Sequence, residues 1–144
     1  MSDREDIRQV VVFLLGNDEF AFPITRVQEI IRHSEPREIA SDVPWIRGVH
    51  SLRGKIVPVC DLAVRLGLVS QPCETAKIVI VETEAGTAGV IVDEVREVLT
   101  IDPSQIDPAP SAGTDVIEGI LNLDGRLVLL LDPDRLVGTL SVAA

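Results

Sequence analysis

The sequence predicts a mainly β protein, two small antiparallel barrels packed together with short helices. Three observations carry the prediction. The stretch GVHSLRGKIVPVCDLAVRLG at residues 48–67 returns as GILNLDGRLVLLLDPDRLVG at 119–138, in register and without a gap, at an offset of 119 − 48 = 71. Each copy centres on a two-residue turn ending in Gly between apolar runs, the signature of a hairpin. The remaining apolar runs are short and separated by polar turns, enough for roughly four or five strands per half, and closing them into barrels removes exposed edges.

In chain order, VVVFLL at 10–15 is a near-continuous apolar strand, followed by a polar turn at 16–19 and a second strand at 20–24. ITRVQEII at 24–31 fits either a helical turn or a strand. In the repeated unit, Arg53-Gly54 and Asp124-Gly125 are the turns, with Gly54 and Gly125 supplying positive φ. The strands at 55–60 and 126–131 each run into an Asp. Asp61 and Asp132 can accept from the free N–H groups of a following helical turn, which Gly67 and Gly138 can close in the left-handed region. Pro133 sits at the first helical position, where its missing N–H costs nothing. Gly48 and Gly119 recur as geometric requirements at the start of the unit.

The second half opens with KIVIVE at 77–82, a turn at 83–87 and a strand at 88–92, then VDEVREVL at 92–99. This last segment shares with 24–31 the pattern Val-x-Glu-apolar-apolar, at Val27/Glu29 and Val95/Glu97. Residues 69–75 read as the connection between copies, and DPSQIDPAPSAGT at 102–114 as a Pro-rich surface loop. Half a chain of this length is small for an independent core, so the halves are expected to share apolar surface or exchange strands. The expectation is one domain over residues 1–144 with two lobes, the repeat halves lying near 9–67 and 77–138.

A hydrophobic fraction of 46% over 144 residues supports a globular domain, and the apolar runs are far too short to span a bilayer, so a soluble protein without membrane insertion is expected. The N-terminal MSDREDIRQ has neither the basic region nor the apolar core of a secretory signal. Cys60 lies in an apolar strand and Cys73 in a linker, with no metal spacing, which reads as reduced thiols in the cytosol. A net charge of −10, 3% aromatic residues and no Tyr argue against single-stranded nucleic-acid binding, which needs a cationic groove and stacking rings. Arg47, Arg53 and Lys55 form at most a local basic patch, read as a solvated strand face.

Enzyme chemistry finds little support. There is no phosphate-binding Gly-rich loop, and the two His, His33 and His50, sit in dissimilar settings. A Ser beside a His in one strand points to the opposite face, so His50-Ser51 is a poor dyad. Asp61 and Asp132 read as caps, Asp93, Glu94 and Glu97 as surface charges, and Asp102 and Asp107 as residues before prolines. No cofactor or metal is indicated. The chain reads as a binding module that works by its surface.

Across residues 9–138 the chain resembles the CheW family of bacterial chemotaxis coupling proteins. The resemblance rests on the order and spacing of QVVVFLLGNDEFAFPITRVQEII, WIRGVHSLRGKIVPVCDLAVRLG, KIVIVE with AGVIVDEVREVL, and GILNLDGRLVLLLDPDRL. It implies two intertwined five-stranded barrels with a groove between them and no catalytic activity. It also implies two partners: the regulatory domain of the histidine kinase CheA and the cytoplasmic tips of methyl-accepting chemoreceptors. Localisation would then be cytoplasmic, with recruitment to membrane-associated receptor arrays. A related adaptor of another motility or two-component pathway would look the same.

Carried over by motif, the resemblance points to Val27, Glu29 and Arg53 as partner-binding residues. Val27 either offers apolar contact or belongs to the core. Glu29 either pairs with Arg53 to hold the groove wall in shape or is a solvated side chain. The pair His50-Ser51 before Leu52 departs from the family's more usual β-branched residue and Asn, which puts receptor selectivity, not the fold, in question.

Overall fold

A computed structural model describes residues 9–69, 74–109 and 116–137. The first half contributes β1 (Gln9–Leu15), β2 (Asp18–Pro23), a 3-10 turn (Ile24–Arg26), β3 (Val27–Arg32), β4 (Ile46–Leu52), β5 (Lys55–Asp61) and helix α1 (Leu62–Arg65). The second contributes β6 (Lys77–Thr83), β7 (Gly86–Val92), β8 (Glu94–Thr100), a 3-10 turn (Pro103–Gln105), β9 (Ile106–Pro108), β10 (Ile117–Leu123), β11 (Arg126–Leu131) and helix α2 (Pro133–Val137). The segment at 24–31, open between turn and strand in the sequence, is both, a single 3-10 turn leading into β3.

The strands form a six-stranded sheet in the order β8-β1-β2-β11-β10-β9 and a five-stranded sheet in the order β3-β6-β7-β5-β4. The halves exchange strands. Hairpin β1–β2 lies between β8 and β11 of the second half, and hairpin β6–β7 lies between β3 and β5 of the first. The fold class is the mainly β, intertwined arrangement expected, with two corrections to the all-antiparallel closed barrels. The joints β2–β11 and β5–β7 are parallel. These strands come from different halves, so long connections rather than hairpins set their direction. In addition, neither ladder closes among the described residues, since β8 and β9 end one sheet and β3 and β4 the other.

Three cores follow from this arrangement. Val10 and Val12 of β1 face a core with Leu121, Val128 and Leu130, while Phe13 and Leu15 face a second core that takes residues from both sheets and both helices. Strand β6 is split in the same way, with Ile78 and Ile80 inside its own lobe with Val59, and Val79 and Val81 in the shared core. Both strands are therefore buried on two faces, which is why they read as continuous apolar runs. The chain's three Phe all lie in the shared core, Phe13 and Phe22 with ring centroids 5.1 Å apart.

The Pro-rich segment at 102–114 is not simply a loop. Asp102 accepts from Ser104 N at 2.9 Å and its own N–H donates to Gln105 Oε1 at 2.8 Å, a capping box that starts the 3-10 turn. Ile106 then packs on the core and Leu121, Ile120 and Gly119 pair with Ile106, Asp107 and Pro108. Residues 110–115 lie outside the described residues. The first half has a smaller counterpart, Arg37 bridged to Val49 by two backbone bonds of 2.9 Å with Pro36 buried beside it. A Cβ on Gly48 would lie 2.1 Å from Arg37 O, so this crossing of β4 requires glycine.

At the strand ends, Asp61 Oδ1 accepts from Val64 N at 3.3 Å, and Asp132 Oδ1 from Asp134 N at 2.9 Å. Gly67 ends α1 at φ 76°. Gly138 and Cys73 lie outside the described residues. Cys60 is buried, and burial pushes its thiol up to about 12.

Candidate functional site

Strand β3 carries a bulge. Val27 pairs with Val81 and Glu29 with the adjacent Ile80, leaving Gln28 unpaired. In a regular strand, residues two apart share a face. The extra residue instead turns Val27 to the shared core, against which it packs half-buried, and turns Glu29 to the interior side of its own lobe. The structure therefore does not put Val27 on the same face as Glu29.

It does bring Glu29 to Arg53. Arg53 Nη1 donates to Glu29 Oε2 at 2.5 Å, with the Arg side chain 76% exposed and the Glu 22%. The contact spans the gap between β3 and the β4–β5 hairpin, where the ladder leaves the sheet open. The turn that presents Arg53 is strained. Gly54 has φ 82° as the sequence requires, but Arg53 itself is at φ 52°, and in the second copy Asp124 is at 55° beside Gly125 at 94°. Positive φ at both central residues is the primed turn that matches strand twist, and it favours Asn, Asp or Gly at the first position. The sequence reading, which gave positive φ to Gly54 and Gly125 alone, missed this.

In the second lobe different residues tie the bulged strand to the repeated hairpin. Strand β8 has the same bulge, with Val95 opposite Phe13 and Glu97 opposite Val12. Glu97 Oε2 accepts from Arg126 Nη2 at 2.7 Å, and Arg126 also grips Glu19 with bonds of 2.9 and 2.6 Å. The hydrogen bond from Arg126, aided by its charge and that of Arg96, holds the Glu19 carboxyl below its usual range despite some burial. The Arg126 guanidinium is raised in turn by its bonds to Glu19 and Glu97. Glu97 is a surface charge, as read from the sequence, but one bound to Arg126. The shared Val-x-Glu pattern was its signal, but nothing local marks Glu19 as the third partner.

His50 Nε2 lies 2.9 Å from Ser34 O and 3.3 Å from Ser34 Oγ, so it fastens the β3–β4 connection. Ser51 pairs in register with Ile56. Arg47 lies 3.7 Å from the buried Asp61 carboxylate. The Arg65 guanidinium stacks on Trp45, 4.7 Å from its ring centroid. Among the described residues, four of the seven exposed large apolar side chains form corresponding pairs: Ile30 and Val98 after the two bulges, Ile56 and Leu127 after the two turns.

A duplicated β module with interleaved sheets, a charged clasp from each bulged strand to a repeated hairpin and apolar residues at matching outer positions is built to present surface. A family model, the CheW-like domain, matches residues 9–141. The chain belongs to the CheW-like family. It is 33% identical over 141 residues to the chemotaxis protein CheW of Klebsiella aerogenes, covering 94% of this chain and 85% of that protein. It is also 33% identical over 134 residues to the CheW of Bacillus subtilis, covering 90% and 86%. The crystal structure of the scaffolding protein TtCheW from Thermoanaerobacter tengcongensis matches with a TM-score of 0.82 and 33% identity over 87% of this chain and 88% of that one.

Proposed function

We propose that this chain is a non-enzymatic chemotaxis adaptor that couples the cytoplasmic tips of methyl-accepting chemoreceptors to the regulatory domain of the histidine kinase CheA. On this reading it works in the cytoplasm and is recruited to receptor arrays. The observation that carries the reading is the Arg53–Glu29 clasp in a chain that matches the family over nearly its whole length. Arg53 is held in a costly backbone conformation, is largely exposed, and is not demanded by the turn, since Asp124 fills the same place in the other copy. Strain kept at an exposed cation points to a role outside the fold. An apolar helical hairpin laid against a face rimmed by Glu29 and Arg53 fits helix-in-groove recognition.

The test is a pulldown against a CheA regulatory domain, with a parallel titration against a receptor-tip fragment. Retention of both partners is expected. Binding to neither, by folded protein, would redirect the assignment to a CheW-like adaptor of another motility or two-component pathway.

A further inference from the structure

The chain crosses between the sheets at two related places, and each crossing is pinned to a hairpin turn. At the β7–β8 crossing one residue suffices. Asp93 N donates to Leu14 O at 2.9 Å, at the end of β1, and Asp93 Oδ2 accepts from Gly16 N at 2.7 Å, in the β1–β2 turn, while Thr75 Oγ1 donates to Asp93 O at 2.7 Å. Asp93 is therefore a pin and not the surface charge it reads as in the sequence.

At the β2–β3 crossing, the corresponding atoms of the β6–β7 turn are Glu82 O and Glu84 N, at an offset of 82 − 14 = 84 − 16 = 68 residues. They are held by different chemistry. Arg26 Nε donates to Glu82 O at 3.0 Å and Arg26 Nη2 to Asp134 Oδ1 at 2.5 Å, and the same Oδ1 accepts from Glu84 N at 2.9 Å. Asp134 belongs to α2, which follows β11 of the six-stranded sheet, whereas Glu82 lies in β6 of the five-stranded one and Glu84 in the turn after it. The bond from Glu84 N to Asp134 thus joins the lobes directly, and Arg26 sits between them. Both side chains of this ion pair are 25% exposed, within reach of water and salt, unlike a pin made by one residue's own backbone and short side chain.

We propose that Arg26 and Asp134 are positioning residues that set the angle between the two lobes, and so the width of the groove in which a partner helix lies, without touching the partner. The groove half of this statement rests on the adaptor reading; the angle half does not. Spin labels at Val98→Cys and Ile56→Cys, one exposed site on each sheet, report the distance between lobes in a Cys73→Ser background, with the buried Cys60 left unlabelled.

Arg26→Ala and Asp134→Ala should each shift or broaden the distance distribution. The double variant should do no more than Asp134→Ala, which already loses both bonds to α2, from Arg26 and from Glu84 N, while Arg26→Ala keeps the second and should do less. Raised salt should move the wild type in the same direction. In unlabelled protein the same two variants should bind a receptor-tip fragment about threefold to tenfold more weakly. Arg53→Ala is the contrast and should lose affinity at an unchanged distance. If Asp134→Ala does not fold, Asp134→Asn keeps an acceptor for Glu84 N, removes the charge, and is read the same way. An unchanged distribution in the folded variants overturns the proposal. A shifted distribution with wild-type affinity overturns the positioning role. Failure of the wild type to bind any receptor tip removes the adaptor reading instead, and the distance measurement still decides the angle.

Discussion

Arg53 carries two effects that substitution can separate. Its backbone lies at φ 52°, a conformation that costs a non-glycine residue about 1–2 kcal/mol, while its pair with Glu29 is largely exposed and contributes at most about 1 kcal/mol. Ala keeps the backbone cost and loses the pair; Gly loses both. Arg53→Ala should therefore be within about 1 kcal/mol of wild type in stability, and Arg53→Gly about 1 kcal/mol more stable than Arg53→Ala. Both should bind a receptor tip or the CheA regulatory domain about tenfold to a hundredfold more weakly, as befits loss of a charged anchor. Thermal melts beside titrations check this. Wild-type affinity in both variants would remove Arg53 from the site, and a collapsed melt would make it structural.

At the scale of elements, the helices are four and five residues long, so a cap satisfies a large share of their free N–H groups. Asp61→Ala and Asp132→Ala should each lose about 0.5–2 kcal/mol, with Asp61 the more costly because it is buried beside Arg47. Unchanged denaturant midpoints in both would refute the caps. The clasp joining β2, β8 and β11 responds to acid. The folded pKa of Glu19 lies below the ordinary 4.5, so its contribution is complete above that pH and fades as pH falls through the folded value. Asp134 behaves alike below its ordinary 3.8, because the bonds from Arg26 and Glu84 N outweigh the upward push of burial. The stability gap between wild type and Glu19→Gln should accordingly narrow in acid, as followed by urea titration at stepped pH. The repeated hairpins and caps were legible in the sequence because turn and cap chemistry is local, as at Asp124-Gly125 and Asp132-Pro133. The bulges were not, since Gln28 and Arg96 look like ordinary strand residues and break the two-residue period without a Gly to mark it. The parallel joints were not legible either, because Phe20 meets Leu129 across 129 − 20 = 109 residues and nothing near either one announces the other.

For the whole molecule, the decisive fact is that neither half contains the neighbours its strands need. Among the described residues of the first half the ladders leave only two separate hairpins, β1–β2 and β4–β5, because β3 pairs with β6. Isolated hairpins are marginal in water. A fragment of residues 1–73 should therefore lack strand signal by circular dichroism, and mixing it with 74–144, which keeps the three-stranded ladder β9-β10-β11, should restore it. A folded 1–73 fragment on its own would contradict the exchange. The same interleaving places a delay in the life of every newly made chain. During synthesis VVVFLL is made well before its partners, and Val11 waits 98 − 11 = 87 residues for Val98, while β2 waits longer still for β11. At about 5–20 residues per second this is several seconds to some twenty seconds with the most apolar strand of the protein uncovered. A segment uncovered for that long is open to wrong pairing, so the speed of synthesis should bear on the yield of folded protein even at unchanged stability.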